Sequence, residues 1–303
     1  MNSLRVSIVQ YLNTAPLVRG FTHGPLRGKY QLSFTVPSQC AEALRSGEVD
    51  IAIIPAIEVQ RIDNLVVLPG LCIASKKSVR SLLLVSKKRI PEVRRIALDR
   101  SSRSTQALVR ILCKKNWDIS PDFFEADPDL PVMLQNADAA LIIGDPALRL
   151  ALNSESSAKR DATGELQIPA EFAGLSSPSR LFVHDIVENW RAFTGLPAVL
   201  AVWAARPKAV TPEVVRDFSD SLVFGAQQLH EISAEASREL NLPAPKIMRY
   251  FTENIDYTFD DENLRGLQRY FDLAAEAGLT RHAKPLLIAS FDASPEFAAS
   301  RRH

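Results

Sequence analysis

Cysteine is scarce in this chain: Cys40, Cys72 and Cys113 are its only three, an odd number at wide spacings with no C-x-x-C pair. That excludes a disulfide framework and a thiolate metal knuckle, and it reads as three reduced, buried thiols of a cytoplasmic protein. The five histidines, His23, His184, His230, His282 and His303, fall in no metal-ligand spacing, and there is no H-E-x-x-H. No metal and no cofactor is therefore expected. The G-x-S-x-G elbow and the G-x-G-x-x-G dinucleotide loop are also missing. Gly20, Gly24 and Gly28 are spaced by four, but Pro25 and the charges around them indicate a loop. Nor is there an excess of one charge. Lys and Arg total 36 against 35 Asp and Glu, which removes the electrostatic case for nucleic acid or an anionic membrane as partner. The small basic clusters Lys76-Lys77, Lys87-Lys88-Arg89 and Arg94-Arg95 read as solvated faces. No uncharged apolar run approaches the roughly 20 residues that span a bilayer. Met1–Val6 carries no basic n-region and no apolar h-region, so a cytoplasmic location is expected.

What the chain does contain is an ordinary globular balance, 46% apolar and 23% charged, over 303 residues, long enough for two lobes. Strand-then-helix units follow one another. Val6–Gln10 is an apolar strand. Leu32–Val36 leads through Pro37 and Ser38 into a helix over about Gln39–Ser46, with Ser38 placed to cap it and Gly47 to stop it. Asp50–Ile54, Leu65–Leu68 and Arg80–Val85 continue the strand pattern.

A second series starts with the strand Ile96–Leu98, the polar turn Asp99–Arg103 and an amphipathic helix over Ser104–Asn116. Asp122–Glu125, Ala139–Ile143 and Pro197–Trp203 are further strands, and Asn153–Leu166 is the most loop-like stretch. Thr211 and Pro212 open a helix to about Leu240, and Asp261–Ala277 is a last helix ended by Gly278. The tail from about Ser290 reads as a surface extension.

A helical C-terminal section without a sheet must bury its apolar faces on something earlier. The expected architecture is an α/β clamshell with discontinuous lobes. Residues 1–85 plus 205–303 form one lobe and 86–204 the other, with hinge crossings near Ser86 and Trp203.

Two strand ends carry candidate chemistry. At Tyr11-Leu12-Asn13-Thr14-Ala15-Pro16-Leu17 a strand meets a helix that Pro16 opens, the place where open α/β sheets bind ligands. This junction has no His, Cys or carboxylate, so its ligand is handled by neutral hydrogen-bonding groups. Asn13 either caps the helix or faces the ligand. At Ser101-Ser102-Arg103-Ser104-Thr105, four hydroxyls crowd a helix start whose N–H groups are unpaired. One hydroxyl suffices for a cap, so the crowd favours a carboxylate or phosphate. Arg103 either adds a bidentate clamp or points outward. In Gly144-Asp145-Pro146, Asp145 either caps the next helix or meets the ligand. Ser38 and Ser81 are single hydroxyls at element boundaries.

The Tyr11–Leu17 turn resembles that of the chorismate dehydratase family of the futalosine route to menaquinone. So do the Leu44-Arg45-Ser46-Gly47-Glu48-Val49-Asp50-Ile51-Ala52 segment and Arg80–Ser86. The likeness continues through Ile96–Asp99 with its hydroxyl turn, Ala137–Asp145 and Ala201-Val202-Trp203. That resemblance covers nearly the whole chain and implies a type II periplasmic-binding-protein-like fold. The implied activity is a hydro-lyase converting chorismate to 3-[(1-carboxyvinyl)oxy]benzoate and water. A related synthase of the same route has a Cys- and Pro-containing turn where this chain has Leu12-Asn13-Thr14. Asn13 is then the candidate catalytic residue. Ser38, Ser81, Ser102 and Arg103, with Ser104, Thr105, Gly144 and Asp145, are candidate substrate contacts. Aromatisation of the ring drives the reaction, and a substrate carboxylate can itself take the ring proton, so the protein has mainly to orient and stabilise. The rival class is a non-catalytic small-anion binding or sensor protein of the same fold.

Overall fold

The computed structural model describes residues 3–176 and 179–291. The chain opens with β1 (Arg5–Val9), α1 (Ala15–Thr22), β2 (Gln31–Thr35), α2 (Pro37–Ser46), β3 (Ile51–Pro55) and β4 (Val66–Ser75). It then builds β5 (Leu82–Ser86), β6 (Arg95–Asp99), α3 (Ser104–Lys115), β7 (Asp122–Ala126), α4 (Leu130–Asn136) and β8 (Ala139–Ile143). Next come α5 (Gly144–Ser154), β9 (Lys159–Arg160), β10 (Leu166–Pro169), β11 (Arg180–Asp185) and α6 (Ile186–Thr194). The last part holds β12 (Ala198–Ala205), α7 (Pro212–Gln227), α8 (Leu229–Leu240), α9 (Ala244–Arg249), β13 (Asp256–Phe259) and α10 (Asp261–Glu276).

Two sheets organise these elements. The first has six strands in the order β13-β4-β12-β3-β1-β2, the second seven in the order β7-β6-β8-β5-β11-β10-β9. β1, β2 and β3 are parallel, and β12 returns from the second lobe to insert antiparallel between β3 and β4. The first sheet is thus discontinuous in sequence. Its edges differ from those expected. β5 pairs with β8 and β11, and β12 lies wholly in the first sheet, so each crossing sits about one strand earlier than Ser86 and Trp203. Leu82–Ser86 is buried on both faces. Such a run marks a central strand without saying to which sheet it belongs.

The period-2 alternation of β5 divides the core. Leu82 and Leu84 join the main core, which reaches Ile96, Leu98 and Leu108 of the second lobe and Ile53, Ile54 and Trp203 of the first. Leu83 and Val85 face the other way, onto Ala140, Ile142, Met133, Ala147 and Leu150. Cys40, Cys72 and Cys113 are unpaired and buried in the main core. Burial pushes the thiol of Cys40 to about 11 and that of Cys113 to about 12.

Helix ends follow local chemistry with some corrections. Thr211 Oγ1 accepts from Val214 N–H at 3.2 Å, with Pro212 at the first helical position. The helix it opens stops at Gln227. Gln228 (φ −106°, ψ 16°) turns the chain into α8, so the single long helix expected here is two. α2 begins at Pro37 with Val36 as its cap residue, and the Ser38 side chain caps nothing. Residues 153–166, expected as loop, include the end of α5 and β9, which pairs with β10. Gly20 is helical rather than in a loop. A Cβ there would meet Ser221 Cα at 2.6 Å, and one at Gly225 would meet Pro16 O at 1.9 Å. Glycine is what lets α1 lie directly on α7 and so fixes the turn in front of α1. Most of the tail from Ser290 lies outside the described residues.

Candidate functional site

Between the sheets lies a cleft enclosing a cavity of about 50 Å³. The first lobe supplies Val9, Tyr11, Asn13, Pro37 and Pro55, and β12 adds Leu200 and Ala201. The second supplies Leu82, Ser102, Ser104, Thr105, Ile143 and Gly144. Among the described residues no Asp, Glu, His, Cys, Lys or Arg lines it. Tyr11 is the one lining side chain that titrates, and burial pushes its phenol to about 12. The wall is therefore neutral over the working pH range. No group of three or more His, Cys, Asp or Glu suited to a metal occurs among the described residues.

Asn13 sits in the 3₁₀ turn Leu12–Thr14 between β1 and α1. Thr14 is the cap residue of α1, and no side chain caps that helix, so Asn13 does not act as its cap. Its Oδ1 accepts from Thr14 Oγ1 at 3.3 Å, and its backbone carbonyl accepts from Tyr257 Oη–H at 2.9 Å. The side chain is left to face the cavity.

The hydroxyl turn divides its labour. Ser101 donates to Asp99 Oδ1 at 2.6 Å and lies 3.1 Å from Tyr11 Oη. With its own proton on Asp99, Ser101 accepts from Tyr11. Ser102 Oγ accepts from Thr105 N–H at 3.3 Å, and Ser104 Oγ accepts from Ile57 N–H at 3.2 Å. A hydroxyl that accepts a backbone N–H keeps its single proton to donate elsewhere. Ser102 and Ser104 are thus set as donors toward the cavity, with Thr105 beside them at the positive end of α3. Asp99 is fully buried behind this turn, and burial raises its carboxyl.

Other expected contacts are placed differently. Arg103 does not enter the cavity. It donates to Glu58 Oε2 at 3.1 Å, a fully buried carboxylate that also pairs with Arg45 and Arg61. A buried carboxylate in reach outcompetes an open cleft for a guanidinium. Asp145 does not cap α5, whose cap residue is Ile143 with no side-chain bond. Its Oδ1 accepts from Leu12 N–H at 2.9 Å across the cleft, and burial raises its pKa against that bond. Ser38 meets the opposite lobe through its backbone, Ser38 N–H donating to Ser101 O at 3.0 Å. Ser81 is buried, and its Oγ accepts from Tyr250 Oη–H at 2.9 Å while Leu82 beside it takes the wall. Gly144 does line the cavity, at φ +64°, with the Tyr11 ring against its face.

Sequence reasoning misses the tyrosines. Tyr11 enters it only as part of a turn, and Tyr250, Tyr257 and Tyr270 do not enter it at all. Their one sequence signal is aromatic residues recurring in a helical section otherwise rich in charge.

Two sheets joined by two crossings, with a small neutral-walled cleft between them, define a periplasmic-binding-protein-like fold. In fold the chain is similar to a protein of Archaeoglobus fulgidus (TM-score 0.68, 16% identity, 91% of this chain and 98% of that one). It is likewise similar to the alkanesulfonate-binding protein of Xanthomonas axonopodis pv. citri (TM-score 0.61, 15% identity, 94% and 97%). The chain belongs to the menaquinone biosynthesis family, whose model matches residues 4–276. A curated relative, the chorismate dehydratase of Thermus thermophilus, is 27% identical over 270 residues, covering 88% of this chain and 93% of that protein.

Proposed function

We propose that this protein is a chorismate dehydratase, a hydro-lyase that converts chorismate to 3-[(1-carboxyvinyl)oxy]benzoate and water for menaquinone synthesis. Family membership and the Thermus relative support the substrate. The observation that carries the mechanism is the cavity wall, which offers Asn13, Ser102, Ser104 and Thr105 but no ionised acid or base.

A wall of that kind suits a reaction whose driving force lies in the substrate. One ring proton and the ring hydroxyl leave together as water, and the ring becomes aromatic. The hydroxyls of Ser102, Ser104 and Thr105, with the start of α3, hold a substrate carboxylate. A substrate carboxylate receives the ring proton and passes it to the departing hydroxyl, so that water leaves and the carboxylate is regenerated. The Asn13 amide donates to the departing hydroxyl or to the charge that develops there. The enclosed volume of about 50 Å³ is far below the few hundred Å³ usual for small-molecule sites, so the lobes part to admit the ring and close around it.

The test is purified protein incubated with chorismate, with the product followed by mass for loss of one water. Asn13→Asp keeps the size of the side chain but sets an anion beside a dianionic substrate, and removing one positioned donor typically lowers turnover by about 10²–10³-fold. A folded Asn13→Asp protein is expected to lose nearly all turnover. Chorismate bound but never consumed by the wild type would instead identify a binding protein, and full turnover by Asn13→Asp would move the chemistry away from Asn13.

A further inference from the structure

We infer that Tyr257 and Tyr270 are positioning residues of this site, Tyr257 holding Asn13 and Tyr270 holding the Ser104 turn; the inference rests on the dehydratase reading above. Both come from the C-terminal section, which contributes nothing to the lining of the cavity. Tyr257 Oη–H donates to the carbonyl of Asn13, and Tyr270 Oη–H to the carbonyl of Ser104, each at 2.9 Å. A third tyrosine of the section, Tyr250, donates instead to a side chain, the Ser81 hydroxyl, at 2.9 Å.

The backbone around these residues is shaped for the purpose. β13 is irregular against β4 between Asp256 and Thr258, the position Tyr257 occupies. Irregularities of this kind re-aim a side chain at the cost of one ladder bond. Tyr250 opens the π-helical turn Tyr250–Asn254, the type of turn that recurs at functional sites. Tyr270 is 1% exposed, its ring edge-on to Trp190 with centroids 5.9 Å apart, which leaves its hydroxyl one direction to point. Burial raises the phenols of Tyr257 and Tyr270 well above their usual range, so both remain donors at any working pH.

The division of labour follows from what each hydroxyl holds. The Asn13 turn is assigned to the transition state and the Ser104 turn to the carboxylate. Loss of one hydroxyl is worth about three- to tenfold through a single hydrogen bond. Tyr257→Phe is expected to lower kcat by that factor with KM unchanged, and Tyr270→Phe to raise KM with kcat unchanged. In an Asn13→Ala background, Tyr257→Phe should cost nothing further, because a positioning residue acts only through the group it positions. Tyr30→Phe is the control. Its hydroxyl is buried on Asp217, outside the cleft, so its loss should lower stability and leave both constants alone.

Hydrogen exchange of the peptides over 11–17 and 102–106 adds a readout that needs no reaction, and it should speed in the first peptide for Tyr257→Phe and in the second for Tyr270→Phe. If the wild type turns over chorismate but neither tyrosine variant changes kcat, KM or local exchange, the positioning role is wrong and the dehydratase reading stands. If the wild type leaves chorismate untouched while the exchange changes appear where expected, the dehydratase reading falls and the positioning role stands.

Discussion

Gly144 offers a direct test of how the lobes meet. Its φ of +64° is left-handed, and a Cβ built there would come within 2.8 Å of three Tyr11 ring atoms. Carbon atoms rest about 3.5–4.0 Å apart, so in Gly144→Ala the ring must retreat by about 1 Å. That motion strains two bonds that run from one lobe to the other, Tyr11 Oη–H to Ser101 and Leu12 N–H to the Asp145 carboxylate. A neutral bond is worth about 1 kcal/mol and one to a carboxylate about 1.5–3 kcal/mol, so the closed form loses about 2–4 kcal/mol. Binding that requires closure weakens by at least about 30-fold.

The substitution also forces a non-glycine residue into the left-handed region, which costs about 1–2 kcal/mol of stability by itself. Gly47→Ala separates the two effects, because Gly47 has φ +79° and a Cβ added there would meet nothing within 4 Å. Steady-state KM for chorismate and thermal unfolding should be measured for both variants. Both should melt earlier, and only Gly144→Ala should raise KM. Equal KM values for the two would refute the idea that Tyr11 and Gly144 are the faces that close.

Replacing Ser104 and Thr105 together by Ala removes two cavity hydroxyls and, at about 0.5–1.5 kcal/mol each, should weaken chorismate binding about five- to a hundredfold by calorimetry. Unchanged affinity in the folded double variant would release this turn from the anion. His184 packs on Trp117, its Nε2 has no partner among the described residues, and burial lowers its pKa to about 4. The unfolded chain takes up a proton below about pH 6.5 and the folded protein only near pH 4, so the neutral ring's contribution, present above about 6.5, fades between these values by about 3 kcal/mol. His184→Leu should flatten that limb of the stability–pH curve measured by urea unfolding, and an unchanged slope would show that the ring is solvated.

The parts legible in the sequence were those with local causes. The strands at Val6, Leu32, Ile96 and Ala139, the Thr211–Pro212 helix start and the Gly47 stop each announce themselves within a few residues. Asn13, Ser102, Ser104, Thr105 and Gly144 stand at strand ends, and strand ends face the cleft in this architecture. What stayed hidden depends on partners far along the chain. Whether Arg103 meets a ligand or Glu58 is decided 45 residues away, and whether Asp145 caps its own helix or the Leu12 turn is decided 133 residues away. The sheet to which Leu82–Ser86 belongs is likewise settled by pairing with β8 and β11, a choice to which the apolar run itself is indifferent.

The insertion of β12 between β3 and β4 has a consequence for how the protein is made. When β4 leaves the ribosome, the first sheet has a vacancy at its centre, and the strand that fills it lies about 120 residues downstream, roughly 6–25 s later at ordinary elongation rates. Through that interval β3 and β4 expose unpaired apolar edges, the surfaces that strands of other chains join most readily. Nascent chains stalled before residue 198 should therefore depend on holding chaperones, while chains released past Ala205 have the means to seal the gap themselves.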